Sequence, residues 1–226
     1  MRLDINLNEK VKPEPPSQEE LACVSKLSPG DYEIYGQKLN MICLEGEQIF
    51  QRLGVSALIH AGDMIVSIYT PQGDLVTAAC GTFLHSITGV IPIKFILEHW
   101  ANNESVGVRD GDIFYCNDAH YGGIHNPDQI TIMPVFFEGE LIAWSTAAGH
   151  QTETGATEPG GMPVSARSRY DEGMAVSPIK IGENFRLKDD LIEMCANMVS
   201  RAPRMQVLDM KARATACDRL RMRLIE

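Results

Sequence analysis

The sequence predicts an α+β fold with a mixed, largely antiparallel sheet of β-hairpins flanked by helices. Two observations carry this expectation. Two hairpin signatures are present: MIVSIYT and LVTAA around Pro71-Gln72-Gly73-Asp74, and QITIMPVFF and LIAWSTAA around Glu138-Gly139. Helical periodicity lies before, between and after these hairpins rather than in strict alternation with single strands. Neither GxxxxGK[ST] nor GxGxxG stands between a strand and a helix, so no nucleotide phosphate cradle is expected.

The elements follow in order. Residues 1–28 are polar and Pro-rich (KPEPPSQEE) and read as an extended arm, with residues 29–226 as the α+β domain. Ser28-Pro29-Gly30-Asp31 is helix-entry punctuation, and Ile34, Leu39, Ile42, Leu44, Ile49 and Leu53 suit a helix over residues 32–53 that ends at Gly54. Residues 55–59 read as a short strand, and residues 64–70 and 75–79 form the first hairpin. A second helix covers residues 89–100, with Val90, Ile93, Phe95 and Ile96 apolar. After the Arg109-Asp110-Gly111 turn, a strand over 112–115 leads into a loop over 117–128 rich in Gly, Asn and Pro. Strands over 129–137 and 141–148 make the second hairpin, and a long Gly/Pro/Thr loop occupies 151–168. Two helices, near 188–200 and 204–225, close the chain. The last places Leu208, Ala212, Ala216, Leu220 and Leu224 near helical spacing and reaches Glu226 without a cap. Its apolar face needs cover, expected from a partner or from further polypeptide.

Composition narrows the function. The chain has 226 residues, 44% hydrophobic and 22% charged, as in an ordinary globular protein. A formal net charge of -10 argues against nucleic acid and against an anionic membrane as partners. The N-terminus lacks an apolar signal region, and no run approaches the ~20 apolar residues of a spanning helix, so a cytoplasmic location is expected. Six cysteines, Cys23, Cys43, Cys80, Cys116, Cys195 and Cys217, form no CxxC pair and read as reduced packing groups.

The chemistry concentrates between Gly111 and His150. Asp118, His120, His125 and Asp128 fall in one loop, and His150 follows the next hairpin. Imidazoles and carboxylates at strand ends are the donors of a mononuclear metal site. His125 and Asp128 form an HxxD pair stiffened by Pro127. Pairing around Glu138-Gly139 sets residues near Asp128 beside residues near Gly149, which brings His150 to that loop. A fourth donor comes from Asp63, Asp118 or His120, and the residues alone leave the choice open. Asp118 also suits an Asx-turn and His120 a solvent-exposed position. His60, His85 and His99 read as packing or surface groups. No GxSxG elbow is present and no Ser or Cys is marked as a nucleophile.

The block GDIFYCNDAHYGGIHNPDQITIMPVFFEGELIAW, followed by AGHQTETGATEPGGMP, resembles the hydantoinase B / 5-oxoprolinase family. It is most similar to the branch that holds the alpha subunits of acetone carboxylase and acetophenone carboxylase. The likeness runs from about Asp31 to the end of the chain and includes YTPQGDLV, FLHSITGVIPIKFILEHW and LDMKARATACDRL. It implies a metal held by two histidines and two carboxylates, which by motif position are Asp63, His125, Asp128 and His150. The ion implied is Mn2+, with Zn2+ as the alternative. One departure is that Asp63 stands where acetone carboxylase is expected to have Glu, one methylene longer. Asp118 and His120 are then the candidate catalytic pair.

The resemblance implies an ATP-dependent ketone carboxylase, joining bicarbonate and a ketone to a 3-oxo acid. The alternative is an ATP-driven cyclic-amide hydrolase of the hydantoinase or oxoprolinase type. ATP is expected on a separate beta, hydantoinase A-like subunit, with a small third subunit as a further partner. The family's alpha subunits are much longer, so the chain is expected to be a fragment, a split subunit or a truncated reading frame.

Overall fold

The computed structural model describes residues 7–226, so residues 1–6 of the expected arm lie outside the described residues. Among the described residues one seven-stranded sheet runs β2-β1-β5-β4-β3-β6-β7. Its strands are β1 (Met64–Tyr69), β2 (Leu75–Ala78), β3 (Ile113–Cys116), β4 (Asp128–Phe137), β5 (Glu140–His150), β6 (Ile179–Glu183) and β7 (Arg186–Leu187). Every pairing in it is antiparallel. The β4–β5 hairpin turns at Glu138 (φ 50°) and Gly139 (φ 87°). Two left-handed residues in succession give the turn whose twist matches the flanking strands.

Helices cover both faces, which is why the central strands β4 and β5 are buried along most of their length. On one face lie α3 (Pro29–Leu53), α7 (Asp189–Met198) and α8 (Pro203–Ile225). There Cys43 and Phe50 of α3 and Ala216 and Leu220 of α8 meet Val66, Tyr115, Met133 and Ala147 of the sheet. On the other face lie α5 (Leu84–Thr88) and α6 (Val90–His99), whose Ile93 and Ile96 pack on Ile65, Phe114, Ile132 and Trp144. Neighbours such as Ile65 and Val66 go to opposite cores, as the two-residue repeat of a strand requires.

The cover for α8 comes from this chain itself: the helix packs on α3, β4 and β5. Ala212, Ala216 and Leu220 are buried there, whereas Leu208 is exposed. Small side chains let the helix approach closely. A Cβ added at Gly46 of α3 would lie 2.0 Å from Leu220 Cδ1.

Several expectations need correction. Residues 55–59 form no strand; α4 (Ala57–His60) occupies the segment. The reason is a competing acceptor: the Val55 and Ser56 N–H groups donate to Asp209 Oδ1 at 2.7 and 3.4 Å instead of to a neighbouring strand. α5 adds a helix ahead of the one expected at 89–100, and β6–β7 form a hairpin that the sequence reading lacked. The segment read as an extended arm carries α1 (Leu7–Lys10) and α2 (Gln18–Val24). A reciprocal cap starts α2: Ser17 Oγ accepts from Glu20 N at 3.1 Å, and Glu20 Oε2 accepts from Ser17 N at 2.6 Å. The stretch before it follows α6 and the first hairpin, where Lys94 Nζ donates to Lys12 O at 3.0 Å and Glu14 N to Asp74 Oδ2 at 2.7 Å.

Of the cysteines, Cys43, Cys116, Cys195 and Cys217 are buried, while Cys23 and Cys80 are exposed. Burial pushes the Cys43 thiol up to about 12 and the Cys195 thiol up to about 11, so both stay protonated and unreactive. Among the described residues no helix is long and apolar enough to cross a membrane.

Candidate metal centre

The antiparallel register builds the centre. Asp128 opens β4 and pairs directly with His150, the last residue of β5. On the far side of β5, Met64 of β1 pairs with Gly149, so Asp63 arrives beside His150, whose N–H donates to the Asp63 carbonyl at 3.0 Å. His125 reaches the same place through a tight turn in which Asp128 N–H donates to its carbonyl at 3.0 Å.

The side chains converge. His125 Nε2 lies 3.4 Å and His150 Nδ1 3.4 Å from Asp128 Oδ1. Asp63 Oδ2 is 3.6 Å from His150 Nδ1, and the two imidazole centroids are 4.8 Å apart. One donor atom each from His125, Asp128 and His150 all fall within 4.8 Å of one another. Asp128 and His150 are buried; His125 and Asp63 are partly open, with side chains 21% and 33% exposed.

A further imidazole, His85 of α5, stands against both carboxylates. Its Nε2 is 3.3 Å from Asp63 Oδ1 and its Nδ1 3.9 Å from Asp128 Oδ2. From sequence alone this residue reads as a packing or surface group. The signal was available in the first hairpin: β1 pairs with β2, and Thr82 N–H donates to the Met64 carbonyl at 3.2 Å, so the residues just past β2 must lie beside Asp63.

The electrostatics follow from this crowding. Burial pushes the Asp128 carboxyl up, but the contacts to His125 and His150 and the neighbouring His85 outweigh it, so the group titrates well below the usual carboxylate range. Burial pushes the His125 imidazole down, and the Asp128 carboxylate beside it overcomes that, leaving it above the usual histidine value. Even so, Asp128 Oδ2 and His150 Nε2 are buried with no hydrogen-bond partner among the described residues. Such orphaned groups are costly in a protein interior. A cation fits this donor set: imidazole nitrogens and carboxylate oxygens suit Mn, Fe or Zn, with no thiolate among them.

Asp118 and His120 lie elsewhere in the loop. Asp118 is buried; its carboxylate accepts from Arg169 Nη1 and, at 2.9 Å, from His120 N–H. It caps the 3-10 turn Ala119–Tyr121, on which His120 is exposed. Asn126, fully buried beside His125, fixes the rest of the loop. Its N–H donates to Glu172 Oε2 at 2.9 Å, its amide to the Arg169 carbonyl at 2.5 Å, and its carbonyl accepts from Asn117 Nδ2 at 2.7 Å. The long loop after β5 is therefore stitched to the loop that carries His125.

Fold and centre together define an antiparallel α+β domain with a carboxylate–imidazole cluster at the strand ends. Residues 28–226 match the Hydantoinase B/oxoprolinase family, and the chain belongs to that family. It is 48% identical over 216 residues to the acetophenone carboxylase delta subunit of Aromatoleum aromaticum, covering 96% of this chain and 31% of that protein. It is 32% identical over 185 residues to the acetone carboxylase alpha subunit of Xanthobacter autotrophicus, covering 81% of this chain and 23% of that protein. The acetophenone carboxylase match thus falls on the subunit named delta, where an alpha subunit was expected. Among solved structures, nucleotide-free acetone carboxylase superposes with a TM-score of 0.82 at 30% identity, over 87% of this chain and 26% of that one. The chain spans less than a third of the length of these relatives.

Proposed function

We propose that this chain is the metal-holding part of a subunit of an ATP-dependent ketone carboxylase, acting on a ketone and bicarbonate to give a 3-oxo acid. The observation that carries the reading is the convergence of His125, Asp128 and His150, with Asp63 beside them, in a chain 48% identical to an acetophenone carboxylase subunit. Asp63, His125, Asp128 and His150 are the proposed ligands, for Mn2+ or alternatively Zn2+. The bound ion would supply Lewis acidity, polarising a carbonyl oxygen or stabilising an enolate.

The chain's own residues would then act as follows. The buried pair Asp128–His150 gives a dry, rigid floor. His125 and Asp63, partly open, form the side from which a substrate oxygen approaches. Asp118 holds Arg169 in place, and His120, exposed on the same turn, is the group available to exchange a proton with solvent or substrate. Residues 29–226 form the metal-binding unit in this reading, and residues 1–28 an appended arm.

ATP would be bound by a separate beta, hydantoinase A-like subunit. The lack of a phosphate-loop motif in this sequence supports that division, as do the relatives' names as subunits. The second reading is a component of an ATP-driven cyclic-amide hydrolase, favoured by the oxoprolinase half of the family description. The deciding experiment has two stages. Metal analysis after reconstitution should find a stoichiometric divalent ion; none at all removes both enzymatic readings. ATP turnover, measured with the ATP-binding partner subunit, should respond to acetone or acetophenone plus bicarbonate. A response only to hydantoins or 5-oxoproline selects the hydrolase.

A further inference from the structure

We propose that His85 is the positioning residue of this centre: it fixes which oxygen of Asp63 faces the cation and holds the two carboxylates at their separation. The inference rests on the metal reading above. Asp63 Oδ1 is occupied twice, by Thr82 Oγ1 at 2.7 Å and by His85 Nε2 at 3.3 Å. That leaves Oδ2, 3.6 Å from His150 Nδ1, as the oxygen turned to the centre. The opposite ring nitrogen of His85 stands 3.9 Å from Asp128 Oδ2, the buried oxygen without a hydrogen-bond partner. One ring therefore spans two carboxylates that belong to different hairpins.

The ring is itself held rigidly. His85 is buried, and its helix is tied to β1 by a Ser86–Ser67 hydroxyl contact of 2.6 Å and by Tyr69 Oη donating to the Ser86 carbonyl at 2.8 Å. Asp63 is not rigid on its own account: its side chain is 33% exposed, and a carboxylate at a loop end is free to turn into water. An imidazole locked from behind removes that freedom before a cation arrives, which is how the groups behind a metal site raise affinity. Both ring nitrogens of His85 face carboxylate oxygens, Nε2 that of Asp63 and Nδ1 that of Asp128, so it orients ligands instead of being one.

The test compares His85→Leu with His85→Gln in the full chain, titrated with Mn2+ or Zn2+ alone. His85→Leu should weaken metal binding roughly tenfold to a hundredfold. His85→Gln, whose amide still donates to Asp63, should recover most of that loss. The paramagnetic resonance spectrum of bound Mn2+ should broaden in the Leu variant and return toward wild type in the Gln variant. Thermal melting of the metal-free proteins separates this from general damage. If the Leu variant does not fold, Thr82→Val, which removes the other contact to the same oxygen, takes its place and should weaken binding in the same direction. Wild-type affinity and spectrum in the Leu variant, or equal loss in Leu and Gln, overturns the role of His85 while leaving the metal reading intact. A wild-type chain that binds neither ion overturns both.

Discussion

Asp128 and His150 face each other directly across the β4–β5 ladder, with His150 Nδ1 3.4 Å from Asp128 Oδ1. Backbone register sets the two residues side by side, so the contact needs only the right rotamers. The two residues nevertheless sit at the end of the ladder and contribute little to either apolar core.

That position sets the first expectation. His150→Ala should abolish stoichiometric metal binding and leave the fold largely intact. Elemental analysis with far-ultraviolet circular dichroism checks both halves. Wild-type metal content in the variant contradicts the assignment of this residue.

Asp128→Asn should weaken metal binding roughly tenfold or more and change its pH dependence. The His125 imidazole is held above the ordinary histidine value by Asp128. A cation must displace that proton, so affinity falls as pH drops through the His125 value, and binding releases a proton. In the Asn variant, release should move to lower pH. Calorimetry in buffers of different ionisation enthalpy reads it directly.

The same pair affects the metal-free protein. Asp128 is depressed in the fold, so its contribution is present above about pH 4 and lost as pH falls further. His125 is raised, so its contribution is complete below about pH 6.5 and lost as pH rises through its folded value. Metal-free stability should therefore be helped by this pair mainly between those limits. The gap in urea midpoint between wild type and Asp128→Asn should be widest between about pH 4 and 6.5 and narrow on either side; a pH-independent gap would refute the pairing.

Gly46 and Leu220 form a second test, of packing. Gly46→Ala places a Cβ against Leu220 Cδ1 and should cost about 1–3 kcal/mol. Leu220→Ala opens a cavity and should cost about 2–5 kcal/mol. Because each change relieves the other, the double variant should lose clearly less than the sum of the two. Additive losses by urea denaturation would place the helices farther apart than described.

Gly81→Ala should be severe. Its added Cβ would fall 2.1 Å from the Met64 carbonyl, a backbone atom that cannot turn away. A loss of about 2 kcal/mol or more is expected, together with weaker metal binding, since Met64 follows Asp63. A melting temperature equal to wild type counts against the tight approach of these two segments.

Much of this arrangement is legible in the sequence. The Glu138-Gly139 turn names its own hairpin, and from that pairing His150 could be placed near Asp128. The β6–β7 hairpin was not, although its turn is of the same left-handed kind: Asn184 has φ 52° and Phe185 φ 61°, and a phenylalanine sits where glycine usually signals the bend. The α4 turn was hidden because its cause, Asp209, lies some 150 residues away in α8. His85 is hidden because it reaches Asp63 only through the first hairpin, whose β1–β2 pairing carries the residues past β2 back to the start of β1. Asp118 shows the limit of composition: its carboxylate is spent on Arg169, a partner fifty-one positions distant that no local pattern announces.

The ladder between β1 and β5 carries one more implication. Asp63 comes from the first hairpin and Asp128 with His150 from the second, and the β1–β5 ladder, from Met64–Gly149 to Tyr69–Trp144, sets them side by side. A chain in which each hairpin has formed but the two have not zipped together offers two incomplete half-sites. Cation capture would then report on assembly: a tightly held ion certifies that the middle of the sheet has closed.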